Sequence, residues 1–321
     1  MSRPVRSPLR RLVRGLALGS AALLVVGAIA LAVLRADDPV PRFEARRGTV
    51  AGATLDSVTR EDGHLVQAVR VVSTSGLAVE LLVKRPVDGA RAPLVLILGG
   101  HNTGRDAARL IPDTRGRAVV ALSYPYAGPH KLKGLAVVRH VPAIRRALLD
   151  TPPAIALALD WLATQPWVDT TRIDGVGASL GTPFMTVAAA RDPRIGRLWS
   201  VHGAGDTRAL LEHNARRYVP AALLPAAATV ADILVAGPYL TPEKWIAAVA
   251  PRPVVMLNAT EDEKLPRATV ETLYDAAGAP KRLVWMPGRH VGRNRPEIVR
   301  PLVATVLAMM DSIPVPPVAA R

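Results

Sequence analysis

A serine stands between two glycines in the motif Gly177-Ala178-Ser179-Leu180-Gly181. Residues 173–177 before it are typical of a short strand, and a helix is predicted to begin directly after it. A serine on such a sharp turn has a strained backbone, and the glycines allow neighbouring chain to approach closely. The turn would lift the hydroxyl above the sheet edge and leave the first helix amides free to stabilise negative charge. The spacing predicts a nucleophilic serine, although an ordinary strand-to-helix turn can carry the same pattern.

The elements that would position this serine are strands that alternate with helices. Several strands are continuous apolar runs, as expected where a parallel sheet is covered on both faces. Apolar residues at helical spacing cover 153–164. The alternation predicts an α/β fold with a mostly parallel, doubly wound sheet. The predicted strands are 65–72 and 77–84, joined as a hairpin, followed by 93–98, 118–123, 173–177, 195–201, 253–257 and 282–286.

Residues 207–249 interrupt the alternation. Their stretch 219–237 is nearly long enough for a membrane span, but Pro220, Pro225 and Asp232 argue against one. We predict a helical, apolar cap over the catalytic face, with ordinary connecting helices or a second span as the alternatives. A cap of this kind would favour a substrate with a hydrophobic part.

The amino terminus has the composition of a membrane segment. Residues 15–34 form an uncharged apolar run that would extend about 30 Å as a helix, enough to cross a bilayer. Five arginines precede this run, so the positive-inside bias predicts a cytoplasmic amino terminus and an exported body. We predict an uncleaved signal anchor; a cleaved signal peptide and secretion is the alternative. The predicted organisation is a basic segment 1–14, an anchor 15–34, a linker 35–48, a catalytic domain 49–311 and a tail 312–321.

Composition excludes some classes of function. The formal net charge is +15, but the basic residues are scattered and aromatic residues are few, which argues against nucleic-acid binding. A basic surface beside anionic lipid is the better interpretation. The chain has no cysteine, so it forms no disulfide and no thiolate metal site. No metal or other cofactor is predicted, because metal-ligand spacing is absent among His64, His130, His140 and His213.

Several quoted segments together resemble serine hydrolases of the α/β-hydrolase fold, in the branch of dienelactone hydrolase-like and prolyl-oligopeptidase-like esterases and peptidases. The resemblance covers roughly residues 78–310. Its carriers are Leu159-Asp160-Trp161-Leu162, Thr171-Arg172-Ile173, the Ser179 motif, Ala250-Pro251-Arg252-Pro253-Val254, Asp262-Glu263-Lys264-Leu265-Pro266 and Pro287-Gly288-Arg289-His290.

The resemblance implies a triad in the chain order serine, acid, histidine. Ser179, Asp262 and His290 occur in that order, each just beyond a predicted strand. His290 would act as the base that activates the serine, and Asp262 would orient and stabilise the imidazole. Glu261 and Glu263 are competitors for the role of the acid. His290 as a plain surface residue and Asp262 as a helix cap are the structural alternatives.

The resemblance also implies donors for an oxyanion. The amide of Leu180 is one, and the loop after an earlier strand supplies the second, here Gly100 or His101. Tyr124 and Tyr126 either line the acyl pocket or belong to the core and its rim.

These features predict a membrane-tethered carboxylesterase-like enzyme that cleaves an ester or thioester through an acyl-enzyme. Its substrate would be a small molecule with an apolar part. A serine peptidase of similar build is one alternative, although the short segment 49–93 cannot form the propeller that such peptidases usually carry. A non-catalytic binding protein with the hydrolase fold is the other alternative. His202, which ends a predicted strand, is expected to have a structural role.

Overall fold

The computed structural model describes residues 8–100, 103–129 and 134–315. The chain divides into two compact units, one ending at Asp38 and one beginning at Pro39. Helix α1 (Pro8–Ala36) makes up the first. Its part Leu16–Ala36 has a mean hydropathy of 2.5 and is long enough to span a membrane. Both a signal anchor and a signal peptide satisfy this description.

The second unit is a sheet with helices on both faces. Its strands are β1 (Val50–Leu55), β2 (Thr59–Glu61), β3 (His64–Ser73), β4 (Ala78–Pro86), β5 (Ala92–Leu98), β6 (Ala118–Leu122), β7 (Val168–Ala178), β8 (Arg197–Val201), β9 (Val254–Ala259) and β10 (Lys281–Met286). Its α-helices are α2 (Phe43–Arg47), α3 (Leu135–Ala163), α4 (Gly181–Arg191), α5 (Thr207–Ala215), α6 (Leu224–Leu234), α7 (Gly237–Leu240), α8 (Arg267–Ala276) and α9 (Pro296–Ser312). Short 3₁₀ helices lie at Val40–Arg42, Gly104–Leu110, Ala221–Leu223, Pro242–Lys244 and Ile246–Val249.

The strand order across the sheet is β1-β3-β4-β6-β5-β7-β8-β9-β10, with β2 paired to β3. Strands β6, β5, β7, β8, β9 and β10 are parallel neighbours, whereas β1 to β4 join antiparallel. The prediction of a mostly parallel sheet is confirmed. Because parallel strands all end at the same edge, the loops after β5, β7, β8, β9 and β10 lie together there.

Helix α3 is much longer than the helix predicted over 153–164. It begins at Leu135 and contains three prolines, at positions 142, 152 and 153. Proline normally marks a helix start, which is why the sequence favoured a boundary at Pro153. Here the helix continues because its second half is buried against the sheet, with Ile155, Leu159 and Leu162 in the core. Burial outweighs the local cost of the prolines.

The segment 35–48, predicted to be a linker, is partly folded onto the body. Phe43 on α2 is buried in the core. Arg46 forms a bidentate salt bridge with Asp150 on α3, and Arg47 forms one with Asp160. These contacts explain why the compact unit begins at Pro39 and not at the first strand.

The insertion 207–249 is helical, as predicted. Helix α5 packs on α6, and α7 with the 3₁₀ helices packs against α4. The segments Ala221–Leu234 and Gly237–Lys244 are bent by 67° relative to each other. Helix α5 also supports the loop after β9, because His213 Nε2 lies 3.2 Å from the Glu263 carbonyl oxygen and Asn214 donates to that of Lys264.

A buried ion pair fastens α9 to the sheet. Asp174 on β7 receives two hydrogen bonds from Arg197 on β8, at 2.6 and 2.7 Å, and a third from the indole of Trp199 at 2.8 Å. Arg197 in turn donates to the carbonyl oxygens of Met310 and Ile313 at the end of α9. Both charged side chains are almost fully buried.

We expect Asp174→Ala to lower the free energy of unfolding by about 3–5 kcal/mol, because it leaves the Arg197 charge buried without its partner. Urea denaturation of the detergent-solubilised full-length chain, followed by tryptophan fluorescence, measures this. Glu271→Gln is the matched control: it breaks the exposed Arg267–Glu271 pair and should cost less than about 1 kcal/mol. Equal effects of the two substitutions would contradict the prediction.

Candidate active site

Ser179 lies on the turn between β7 and α4, with a backbone φ of +52°. Its N–H donates to the Val201 carbonyl oxygen at 2.9 Å, which fixes the turn against β8. Both flanking glycines are sterically required. A Cβ at Gly181 would lie 2.0 Å from the Leu98 carbonyl oxygen, and one at Gly177 would lie 2.7 Å from the α4 backbone. The strained, glycine-flanked turn is the one that the motif predicts.

Three predicted residues come together above this turn. The Oγ of Ser179 lies 2.8 Å from Nε2 of His290, in the loop after β10. The other ring nitrogen of His290, Nδ1, lies 2.8 Å from Oδ2 and 3.0 Å from Oδ1 of Asp262, in the loop after β9. The imidazole of His290 is buried, with 1% of the residue exposed. The arrangement can deprotonate the hydroxyl and hold the resulting imidazolium beside a carboxylate.

The loop after β9 distinguishes the three neighbouring acids. Asp262 faces the imidazole, and its Oδ1 also accepts the N–H groups of Lys264 and Leu265 at 2.9 and 3.0 Å. Burial opposes its charge, but hydrogen bonds from His202, His290 and the Lys264 amide outweigh that effect and hold the pKa of Asp262 well below its usual value. This carboxylate is therefore ionised at neutral pH.

Glu263 instead contacts the backbone of the histidine. Its Oε2 accepts the N–H of His290 at 3.0 Å, and its Oε1 accepts from Arg295 at 2.9 Å. Slight burial raises its pKa, but the His290 amide and Arg295 lower it to about 2 overall. Glu261 is exposed, and its own N–H donates to the Gly288 carbonyl oxygen. Of the three acids, only Asp262 is hydrogen-bonded to the imidazole.

A second histidine, His202, contacts the same acid. It follows β8 with a φ of +47°, is almost fully buried, and meets the ring of His290 edge to face at 5.4 Å. Its Nδ1 lies 3.2 Å from Oδ2 of Asp262 and 3.2 Å from the backbone nitrogen of Val291. From the sequence, the only prediction for His202 was that it follows the end of a strand and is structural. The contact with Asp262 depends on the loop after β9, which sequence reasoning could not orient.

Two of the predicted oxyanion donors, Leu180 and Gly100, lie in described segments next to Ser179. Leu180 begins the turn into α4, so its amide is among the first helix N–H groups that have no intrahelical acceptor. Gly100 approaches from β5, and a Cβ there would lie 3.3 Å from the Cβ of Ser179. His101 lies outside the described residues. Gly100 can therefore bring backbone, without a side chain, directly beside the hydroxyl.

Tyr124 and Tyr126, the predicted substrate contacts, do not line the pocket that the described residues form at Ser179. The hydroxyl of Tyr124 donates to the Gly99 carbonyl oxygen at 2.8 Å, and its ring packs edge to face on Phe184 at 5.8 Å. Burial raises the pKa of Tyr124 above its usual value. This residue supports the end of β5 from within the core, which is the second of the two predicted alternatives.

The pocket at Ser179 extends into the body of the domain and does not lie under the insertion 207–249. Its volume is about 680 Å³. It runs between one face of the sheet and helix α9, and no residue of 207–249 is among the described residues that line it. The predicted cap over the catalytic face is thus not what forms this pocket, because the insertion packs beside α4. We call the end lined by Gly99, Gly100, Ser179 and His290 the mouth; the walls away from it include Val95, Ile97, Val176, Leu302, Val306 and Met310.

His202, Asp262 and His290 are also the set of described residues whose donor atoms could reach one metal ion, since these atoms lie within 4.8 Å of one another. The contacts of the two histidines with the Asp262 carboxylate account for the short distances among these donor atoms. Nδ1 of both histidines faces the Asp262 carboxylate, and Nε2 of His290 faces the serine. The same contacts can hold an imidazolium at His290 beside an ionised Asp262.

Comparison with known proteins establishes the fold. No protein-family model and no curated protein sequence matches the chain. An acetyl xylan esterase from Paenibacillus sp. R4 is similar with a TM-score of 0.60 and 16% identity, over 85% of this chain and 93% of that one. Acetyl xylan esterase 1 from Thermoanaerobacterium is similar with a TM-score of 0.58 and 15% identity, over 84% and 94%. An α/β hydrolase from Penicillium sp. sh18 gives 0.55 and 14%, over 81% and 98%. The chain has the α/β-hydrolase fold, as predicted.

Proposed function

We propose that this protein is a serine esterase that hydrolyses a carboxylic ester or thioester through an acyl-enzyme. The observation that carries the proposal is the chain of short contacts from Ser179 Oγ through the His290 imidazole to Asp262. Similarity to solved structures named as esterases supports hydrolysis as the reaction class. Their names do not supply the substrate of this chain.

In the proposed mechanism, Ser179 attacks the carbonyl carbon of the ester while Nε2 of His290 takes the hydroxyl proton. The amides of Leu180 and of the loop at Gly100 stabilise the oxyanion that forms. His290 then protonates the leaving alcohol or thiol. A water molecule, activated by the same imidazole, releases the acid from the acyl-enzyme. Throughout, Asp262 holds Nδ1–H and stabilises the imidazolium.

A fluorophosphonate probe and a series of p-nitrophenyl esters test the proposal. We expect the purified full-length protein to be labelled and to hydrolyse at least one ester with burst kinetics, because the acyl-enzyme accumulates when its hydrolysis is slow. Active-site labelling distinguishes an enzyme from a non-catalytic binding protein. Hydrolysis of peptide but not ester substrates would favour the peptidase alternative.

The proposal includes a tether through α1. The apolar part Leu16–Ala36 is long enough for a span, and the arginines of the first fourteen residues would stay on the cytoplasmic side. A carboxy-terminal alkaline phosphatase fusion should be active, and the protein should sediment with membranes at full-length mass. A shortened, soluble form would instead favour a cleaved signal peptide, and an inactive fusion would contradict export.

His202 is proposed to position Asp262. We expect His202→Phe to lower kcat about 10- to 100-fold, because a hydrogen bond to a charged group contributes about 1.5–3 kcal/mol. Steady-state kinetics and thermal unfolding, measured together, separate this effect from a loss of folding. His140→Phe, on the α3 surface, is the control and should leave kcat near the wild-type value. An unchanged kcat in His202→Phe, with the protein still folded, would refute the positioning role.

A further inference from the structure

The pocket at Ser179 is lined mostly by apolar residues, many of them on the sheet or on helix α9. We propose that it binds the acyl chain of a medium- to long-chain fatty ester, with the chain inserted between the sheet and helix α9. This inference rests on the proposed esterase function. It adds the substrate class and the location of the acyl group.

The wall on the sheet side follows from strand geometry. Side chains two residues apart on a strand face the same way, so Val95 and Ile97 of β5 form one line, and Gly99, just beyond the end of the strand, continues it. That line starts at the mouth, where Gly99 lies beside the serine loop, and runs inward for about 13 Å at the usual strand rise. Val176 of β7 and Val201 of β8 extend the same apolar surface sideways.

The opposite wall is helix α9. Val299 in its first turn lies near the mouth, and Met310 near its end reaches the far part of the pocket. The distance between these positions along the helix axis is about 16 Å. Buried Arg197 and its bonds to the end of α9 hold this wall in place. Both walls therefore define a channel with its opening at the reacting groups.

The size and chemistry of the channel select its occupant. Its volume of about 680 Å³ greatly exceeds the roughly 150 Å³ of an engineered apolar core cavity that stays dry and binds benzene. Ordered water in a buried site needs two to four polar partners. The lining side chains away from Ser179, which include Val95, Ile97, Val176, Leu302, Val306 and Met310, are apolar. Charged lining residues, Lys264, Arg293 and Arg295, belong to the loops at the mouth. An acetyl group would leave most of this space unfilled, whereas an extended acyl chain would fill it.

Chain-length kinetics test the inference directly. The full-length protein is assayed in one detergent with p-nitrophenyl acetate, butyrate, octanoate and laurate. Each methylene that moves from water into the channel can raise kcat/KM by up to about fourfold. We expect kcat/KM for octanoate or laurate to exceed that for acetate by at least about tenfold. Equal or lower values for the long esters would overturn the inference, while leaving the esterase itself intact.

Two substitutions should shorten the channel by different amounts. Val299→Phe would fill the entrance and Val306→Phe the middle, about two helical turns deeper. Val306→Phe should lower the ratio of kcat/KM for laurate to that for acetate at least about tenfold, and Val299→Phe should lower the octanoate-to-acetate ratio as well. Ala304→Phe, on the exposed side of α9, is the matched control. An unchanged chain-length profile in both folded variants would refute the assignment of the channel.

A binding measurement separates failure of the inference from failure of the proposed function. Ser179→Ala retains the channel, so dodecanoate should raise its melting temperature where acetate does not, and Val306→Phe should remove the shift. If no ester is hydrolysed but dodecanoate still stabilises the protein, the esterase proposal fails and the acyl site stands. If esters are hydrolysed but dodecanoate has no effect, the acyl site fails.

Discussion

Ser179→Ala is expected to reduce ester hydrolysis by about 10⁵–10⁶-fold and to abolish fluorophosphonate labelling. The expected size comes from serine hydrolases in general, where removal of the nucleophile costs about as much as removal of the whole triad. The fold should survive, because alanine keeps the Cβ of the strained turn and the N–H bond to Val201. kcat/KM for the best p-nitrophenyl ester, together with the melting temperature, measures both effects.

Ser57→Ala is the control for this experiment, since Ser57 is an exposed serine in the loop after β1. It should remain labelled and fully active. Labelling that persists in Ser179→Ala would remove Ser179 from its proposed role. Loss of labelling in Ser57→Ala as well would show that the loss is not specific to Ser179.

Asp262→Asn is expected to lower kcat by about 10⁴-fold. Asparagine has nearly the same shape, but its amide nitrogen can donate to Nδ1 of His290 and so favour the tautomer that cannot take a proton from Ser179. The imidazolium would also lose the ionised partner whose pKa is held low in this site. A pre-steady-state burst experiment shows whether acylation is the step that slows.

Glu261→Gln and Glu263→Gln are matched controls in the same loop. Glu261 is exposed and should tolerate the change with activity near wild type. Glu263→Gln keeps an oxygen that can accept the His290 N–H, so we expect a loss below about tenfold, in line with the weaker neutral hydrogen bond. A larger loss in Glu263→Gln than in Asp262→Asn would assign the acid's role to Glu263.

The sequence predicted much of the proposed site because parallel strands impose a simple rule. Ser179, Asp262 and His290 each follow a run of apolar residues typical of a buried strand, and the carboxyl ends of such strands meet at one sheet edge. The glycines at 177 and 181 are local requirements of the turn, so they too are visible in the sequence. The sheet order then confirmed the predicted architecture.

Sequence reasoning was less informative wherever neighbouring residues compete for one position. Asp262 and Glu263 differ in their contacts because the turn at 262–265 directs one carboxylate to the imidazole and the other to the backbone of His290. The role of His202 could not be predicted either, because its contact with Asp262 joins two loops that are sixty residues apart in the sequence.

The sequence alone thus determined two features of this protein. The strands follow from local spacing of apolar residues. The grouping of the chemically active residues follows from their positions just after those strands, because parallel strands end at one edge of the sheet. The location of the acyl channel was decided by tertiary structure. Apolar residues of β5, β7 and α9 look like ordinary core positions in the sequence, and whether they fill the space between them depends on how the helix packs over the sheet. The space left unfilled between the sheet and α9 is a property of that packing, and no single segment of the sequence encodes it.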